Sequence, residues 1–307
     1  MASADCVVAV DVGGTSVKAA VVDARGTANA AVTVPTSRGA EQVADQVAAL
    51  ADELTDAVQA RGPAPVALGV VTPGLVDEHS GTVLLAGNLG WRDAPMRALV
   101  EKRVDLPVAF GHDVRAGGLA EAVLGAGRDA GDHLFLAIGT GIAGAVMLGG
   151  TAYSGGGYAG EIGHIVVEPG GDACACGARG CLEATASARA IARRYALRTG
   201  ERVAAAEVAA RAVAGDVHAV AVWDAAVIGL AEALRVCLCV LAPELIVVGG
   251  GLATSGDQLL EPLRARLAER LTFQRVPHVV AAELGERAGC LGAGLLAWHA
   301  IGREVRP

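Results

Sequence analysis

The stretch CACGARGCLE, Cys174 to Glu183, holds three of the chain's seven cysteines within eight positions. Thiolates are soft donors, and a structural zinc ion takes four sulfur or nitrogen ligands in a tetrahedron. The other cysteines, Cys6, Cys237, Cys239 and Cys290, lie in apolar segments far along the chain. A nearer donor is His164 in GEIGHIVV, ten residues before Cys174. His164, Cys174, Cys176 and Cys181 together make a Cys₃His set for structural Zn²⁺, which would staple the loop between them. The alternative is three unliganded surface thiols, which would be reactive and open to oxidation. Two carboxylates flank the set: Glu161 three residues before His164, and Glu183 two residues after Cys181. A metal there would fix both. Carboxylates held rigidly suit the recognition of hydroxyl groups, because each accepts several O–H bonds.

A second group of residues is glycine-rich. DVGGTSVK (11–18), GTG (139–141) and GGG (249–251) each follow an apolar run. Glycine lets a backbone come close to a ligand, and successive N–H groups there form a nest suited to phosphate. Gly13, Gly14, Gly141, Gly249, Gly250 and Gly251 are the candidate amides, and Thr15, Lys18 and Thr140 the candidate side-chain donors. Asp11, at the end of the first apolar run, suits a phosphate-bound Mg²⁺ held through water. Any one such elbow could simply turn the chain; three point to a nucleotide. None matches GxxxxGK[ST] or GxGxxG, so neither a P-loop nor a Rossmann site is indicated. Asp113 falls where a strand pattern gives way to a helix pattern, the place where open α/β sheets bind their ligands.

These residues need positioning elements. Val7 to Asp23 reads as strand, elbow, strand, and NAAVTVPT as a third strand. Glu41 to Gly62 has apolar residues at helical spacing and stops on glycine. VALGVVTPGLVD returns to strand, which makes the opening α/β. His133 to Gly150 repeats strand, elbow, strand about 125 residues later, an internal duplication. Helices fill Glu183 to Ala242 and Asp257 to Leu271, and a helical run covers Gly289 to Ile301. A domain boundary is expected near Gly111 to Glu121.

Composition narrows the function. A chain of 307 residues with 53% hydrophobic residues builds a large core, and 3% aromatics makes that core aliphatic. A net charge of −8 disfavours nucleic acid or anionic lipid as the main partner. No apolar run reaches membrane-spanning length. The start MASADCVVAVDVGG lacks the pattern of a leader, and the odd cysteine count does not suit a secreted disulfide framework. A soluble, cytoplasmic protein is expected.

DVGGTSVKAAVVD, GHDVRAGGLAE, IGTGIAGAV, GEIGHIVV, CACGARGCLE and VVGGGLA stand in an order that resembles the ROK family of sugar kinases and sugar-responsive repressors. The likeness covers nearly the whole chain, and EIGH with CxCGxxGCxE is its most specific part. It implies a two-domain, actin-like (ribonuclease H-like) hexokinase-type α/β fold with an interdomain cleft. The expected domains are a small one, 1–115 plus 293–307, and a large one, 116–292, carrying the zinc loop. The resemblance further implies ATP with Mg²⁺ against the elbows, a hexose at the hinge and a homodimer. By the same analogy Asp113 is the catalytic base, Glu161, His164 and Glu183 contact the sugar, and Gly74 and Asn88 line the site. The usual ENDANAA is here GHDVRAG. Asp113 is kept, but His112 replaces an Asn that serves as a sugar ligand, and Arg115 replaces a later Asn. His112 is therefore expected at the sugar, with packing at the hinge as the alternative. Glucose is the default hexose, with N-acetylglucosamine and N-acetylmannosamine as rivals. A repressor is disfavoured, since the first elbow begins at Gly13 and leaves no room for a DNA-binding module before it. A catalytically silent sugar-binding protein is the remaining reading.

Overall fold

A computed structural model describes residues 5–59, 62 and 64–305. Residues 1–4, which open the stretch read as lacking a leader, lie outside the described residues, as do residues 60–61 of the expected helix and residues 306–307 of the expected small domain. The chain divides into two compact units. The first comprises Met1–Arg128, Gly150–Ala159 and Arg287–Pro307, and the second Asp129–Gly149 and Gly160–Glu286.

In the first unit, β1 (Cys6–Val12), β2 (Ser16–Asp23) and β3 (Ala28–Pro35) are followed by α1 (Ala40–Gln59), β4 (Pro65–Thr72), β5 (Leu75–Asp77), β6 (Thr82–Ala86), β7 (Trp91–Ala94), α2 (Met96–Glu101), β8 (Val108–His112) and α3 (Asp113–Leu124). The main sheet runs β3-β2-β1-β4-β8. Its β1–β2 and β2–β3 pairs are antiparallel; β1–β4 and β4–β8 are parallel. β1 and β4 are almost wholly buried, as expected of strands covered on both faces. On one face Val43, Val47, Leu50 and Leu54 of α1 join Val8, Val10, Leu68 and Val70 in one core. The other face is covered by the helix at residues 288–300, whose approach leaves no room for a side chain at Gly69 in β4. β4 stops before Pro73, which lacks the N–H that a ladder needs.

In the second unit, β9 (His133–Ile138) and β10 (Ile142–Leu148) form an antiparallel hairpin. β11 (Thr151–Tyr153) lies in the segment grouped with the first unit. Then come α4 (Leu182–Ala186), α5 (Ala188–Thr199), α6 (Ala205–Val213), α7 (Val217–Leu241), β12 (Leu245–Gly249), α8 (Asp257–Ala268) and β13 (His278–Ala281), with α9 (Ala288–Ala300) returning to the first unit. Here β10-β9-β12-β13 run in order, with β9–β12 and β12–β13 parallel. Leu134 and Leu136 of β9 and Ile246 of β12 pack with Leu230 and Leu234 of α7 and Leu263 of α8.

Each unit therefore sets a hairpin beside two parallel strands: β2-β1-β4-β8 in one, β10-β9-β12-β13 in the other. This is the duplication expected from the sequence. The unit boundary differs from the sequence reading. Position 115 falls inside α3, which packs on α9 and stays whole in the first unit, so that unit runs on to Arg128. Among the described residues, no helix is long and apolar enough to cross a membrane.

Candidate functional site

The first elbow is a three-residue turn, Gly13-Gly14-Thr15, between β1 and β2, closed by Gly13 N–H donating to Ser16 O at 2.9 Å. Thr36 braces it: its hydroxyl donates to Gly13 O at 2.7 Å and its N–H to Thr15 O at 3.1 Å. Gly14 and Thr15 are exposed. Asn88 lies against Gly14, with its Nδ2 about where a Cβ on Gly14 would begin to crowd it. Gly74 has a φ of +107° and faces the backbone of β6, so its lack of a side chain is a packing requirement. One pair back from the turn, Asp11 and Lys18 are cross-strand partners. The Asp11 carboxylate touches the space a side chain on Gly289 would occupy, at the first turn of α9. Burial, and secondly Asp113, push the Asp11 carboxyl up to about 7 against the opposing pull of Lys18. A carboxyl so placed gains from a cation, which suits the Mg²⁺ role read from the sequence. Asp113 opens α3, half-buried, with Oδ1 accepting the N–H of Val114 at 2.7 Å.

In the second unit the corresponding turn is Gly139-Thr140-Gly141, with Gly139 N–H donating to Gly141 O at 2.9 Å. Thr140 is exposed. Glu183, in the first turn of α4, reaches back: its Oε2 accepts the N–H of Ile142 at 3.0 Å and leaves no room for a side chain on Gly141. Its Oε1 stands 3.5 Å from Arg189. The third glycine group is mixed. Gly249 abuts the Phe135 ring, and Gly250, at φ +80°, lies against the Ile138 backbone, whereas Gly251 faces open space.

The Cys/His donors converge as the spacing predicted. Ring nitrogen or Sγ atoms of His164, Cys174, Cys176 and Cys181 all lie within 4.8 Å of one another. His164 Nδ1 is 3.6 Å from Cys174 Sγ, and Cys176 Sγ is 3.7 Å from Cys181 Sγ. Zinc–sulfur bonds of about 2.3 Å give a tetrahedron whose sulfur–sulfur edge is about 3.8 Å, so the donor set fits a zinc ion. The knuckle is shaped by Cys174 N–H donating to Ala178 O and Gly177 N–H to Cys174 O. Asp172 bonds Arg193 and Arg194 of α5, and Arg194 also holds Glu168, which moors the loop to the helix behind it. Burial, then hydrogen bonding from its two neighbours, pushes the Cys181 thiol up to about 12. His164 Nε2 faces Glu161 Oε2 at 3.7 Å.

Residues 7–300 match the ROK family. This chain belongs to the ROK family. It is 34% identical over 310 residues to a glucokinase of Halalkalibacterium halodurans, covering 94% of each chain. Its fold is similar to that of a ROK hexokinase from Thermus thermophilus, with a TM-score of 0.83 and 34% identity over 97% of this chain and 99% of that one. A ROK glucokinase from Streptomyces griseus, solved with glucose and AMPPNP, gives a TM-score of 0.82 at 32% identity, over 95% and 99% of the two chains. The fold is therefore the two-domain, actin-like sugar-kinase type expected from the sequence.

In this ROK protein the β8–α3 junction holds His112 and Arg115, which the sequence pointed to, and Glu78, which it did not. His112 caps α3, its Nδ1 accepting the Arg115 N–H at 3.2 Å. Glu78 Oε1 accepts both the His112 N–H at 3.1 Å and Arg115 Nε–H at 3.0 Å, while Arg115 Nη2 donates to Val76 O at 3.0 Å. A side chain at Gly111 would press on Leu296, with Glu78 Oε1 only in ordinary contact. Arg115 is 2% exposed and His112 5%, so both are built into one network rather than displayed.

Proposed function

We propose that glucose is the hexose phosphorylated by this ATP-dependent hexose kinase of the ROK family. The observation that carries the reading is full-length similarity to glucokinases together with an Asp, Asp113, retained at the strand-to-helix junction. Asp113 would take the proton of the sugar's 6-hydroxyl as that oxygen attacks the γ-phosphorus of ATP. Phosphoryl transfer asks the protein mainly for positioning and charge stabilisation. Asp11 would hold Mg²⁺ through water, and the bound ion would neutralise charge on the phosphates. Gly13, Gly14, Thr15, Lys18, Thr140, Gly141, Gly249, Gly250 and Gly251 are the proposed phosphate and nucleotide contacts; Gly251 is the least encumbered of the third group. Gly74, Asn88, Glu161, His164 and Glu183 are the proposed sugar-site residues, and His112 belongs to the site through its neighbour Asp113. His164, Cys174, Cys176 and Cys181 would carry Zn²⁺, which orders the loop bearing Glu161 and Glu183. A homodimer and a cytoplasmic location belong to the same reading, as does a division of labour between two domains.

The test is ADP release from Mg-ATP with glucose, mannose, fructose, allose, N-acetylglucosamine and N-acetylmannosamine, alongside Asp113→Ala. Glucose is expected to turn over fastest, and Asp113→Ala to lose about 10²–10⁴-fold in kcat while glucose binding remains measurable. Preference for an N-acetylated sugar would move the assignment within the family. Normal turnover by Asp113→Ala would remove Asp113 from the mechanism. Elemental analysis should find one zinc per chain, lost together with activity in Cys176→Ala.

A further inference from the structure

The His112 ring has one nitrogen committed. Nδ1 accepts the backbone N–H of Arg115, so in the neutral ring the hydrogen resides on Nε2. The ring is 5% exposed, and burial draws its pKa down; of the charged groups facing it, Asp113 and Glu78 pull the other way and Arg115 adds to the fall. Nε2 stands 3.4 Å from Asp113 Oδ1. Partners of this kind are commonly long in an unloaded enzyme and tighten when substrate binds. The same Oδ1 already accepts the Val114 N–H at 2.7 Å. Behind the ring, Glu78 holds the backbone of His112 and the side chain of Arg115 with one oxygen, which pins both ends of the capping turn.

We propose that His112 is a positioning residue for Asp113: its Nε2–H and the Val114 N–H load Oδ1 and leave Oδ2 as the atom that receives the proton. The inference rests on the kinase reading above. In the step, the sugar O–H bond breaks and an Oδ2–H bond forms, while the sugar oxygen bonds to the γ-phosphorus and the bond from that phosphorus to ADP breaks. His112 neither gains nor loses a proton. Its effect on the sugar passes through Asp113.

Two side chains of different length separate the roles of the two nitrogens. Asn puts its carbonyl near the Nδ1 position and can still cap α3, but it is too short to give Asp113 a hydrogen. Gln extends an amide N–H toward the Nε2 position. His112→Asn is expected to keep the wild-type melting temperature and a sugar KM within about threefold, and to lose about 10–100-fold in kcat. His112→Gln is expected to recover most of that kcat. Long-range ¹⁵N–¹H correlation spectra of the wild-type protein should show the Nε2–H tautomer for His112. An Nδ1–H tautomer overturns the proposal. So does unchanged kcat in His112→Asn, a raised KM at constant kcat, or an equal loss in both variants. The spectrum does not depend on turnover, so an Nε2–H ring in a protein that phosphorylates no sugar overturns the kinase reading alone.

Discussion

The two hairpins of this chain share a frame and differ in chemistry. Each joins its strands through three residues, 13–15 in one and 139–141 in the other, and each lies beside two parallel strands. One register pair back from the turn, the first hairpin has Asp11 opposite Lys18, and the second has Ala137 opposite Ala143. The second elbow gains its carboxylate from elsewhere, when Glu183 of α4 takes the N–H of Ile142. A duplicated backbone thus supplies two similar sites of close approach. Single positions then make one charged and intrinsic, the other neutral and buttressed from outside. The first elbow carries its own charged side chains, and the second is tied by a neighbour to the loop of clustered cysteines.

The strongest way to break this contrast is Asp11→Asn. The change keeps the shape of the first elbow and removes its charge, and kcat is expected to fall about 10²–10³-fold with the fold intact. A variant with near-normal kcat would show that the charged pair is structural. Next in size is Gly250→Ala, because a side chain there meets the Ile138 backbone at positive φ. A loss of about 3 kcal/mol is expected from chemical denaturation. Its neighbour Gly251→Ala meets nothing and should change stability by less than about 0.5 kcal/mol, acting on the KM for ATP instead. Equal stability losses would mean that the steric distinction is false.

Smaller still is Glu183→Ala, which leaves the Ile142 N–H without its acceptor at a cost of about 1–3 kcal/mol. Glu183→Gln retains an acceptor and should recover most of the stability while the KM for sugar stays raised. If Gln is no better than Ala, the bond to Ile142 is not what the carboxylate contributes. The smallest effect concerns pH. Burial raises the Asp11 carboxyl from an ordinary 3.8 in the unfolded chain to about 7 in the fold. The folded state therefore holds a proton that the unfolded chain has released, and the stability from protonated Asp11 is lost as pH rises from the lower value through the upper one. Asp11→Asn should shrink the difference in melting temperature between about pH 5 and pH 8. An unchanged difference would assign the dependence to another group.

Much of this was legible in the sequence for physical reasons. Glycines bracketed by apolar runs mark Val7–Asp23 and His133–Gly150 as hairpins, and donor counting was enough to select His164, Cys174, Cys176 and Cys181. Glu78 was not legible: it sits in VDEHSG, a polar turn like many others, and its partners lie 34 and 37 residues away. The unit boundary was misplaced because α3 is held by α9, a contact that no local pattern announces. The third glycine group looked uniform as letters. Only the approach of β9 separates Gly250, which is sterically required, from Gly251, which is not.

The return of α9 to the first unit has a consequence in time. Its residues 288–300 cover the sheet face whose first strand begins at Cys6, and Gly69, Gly289 and Gly292 all mark places where it touches the rest of that unit closely. During synthesis, the second unit has every strand and helix it needs before that helix is made. The unit begun first is thus completed last, and its half-covered sheet must wait through the making of more than 150 intervening residues. For that interval the sheet face that α9 covers lacks that cover.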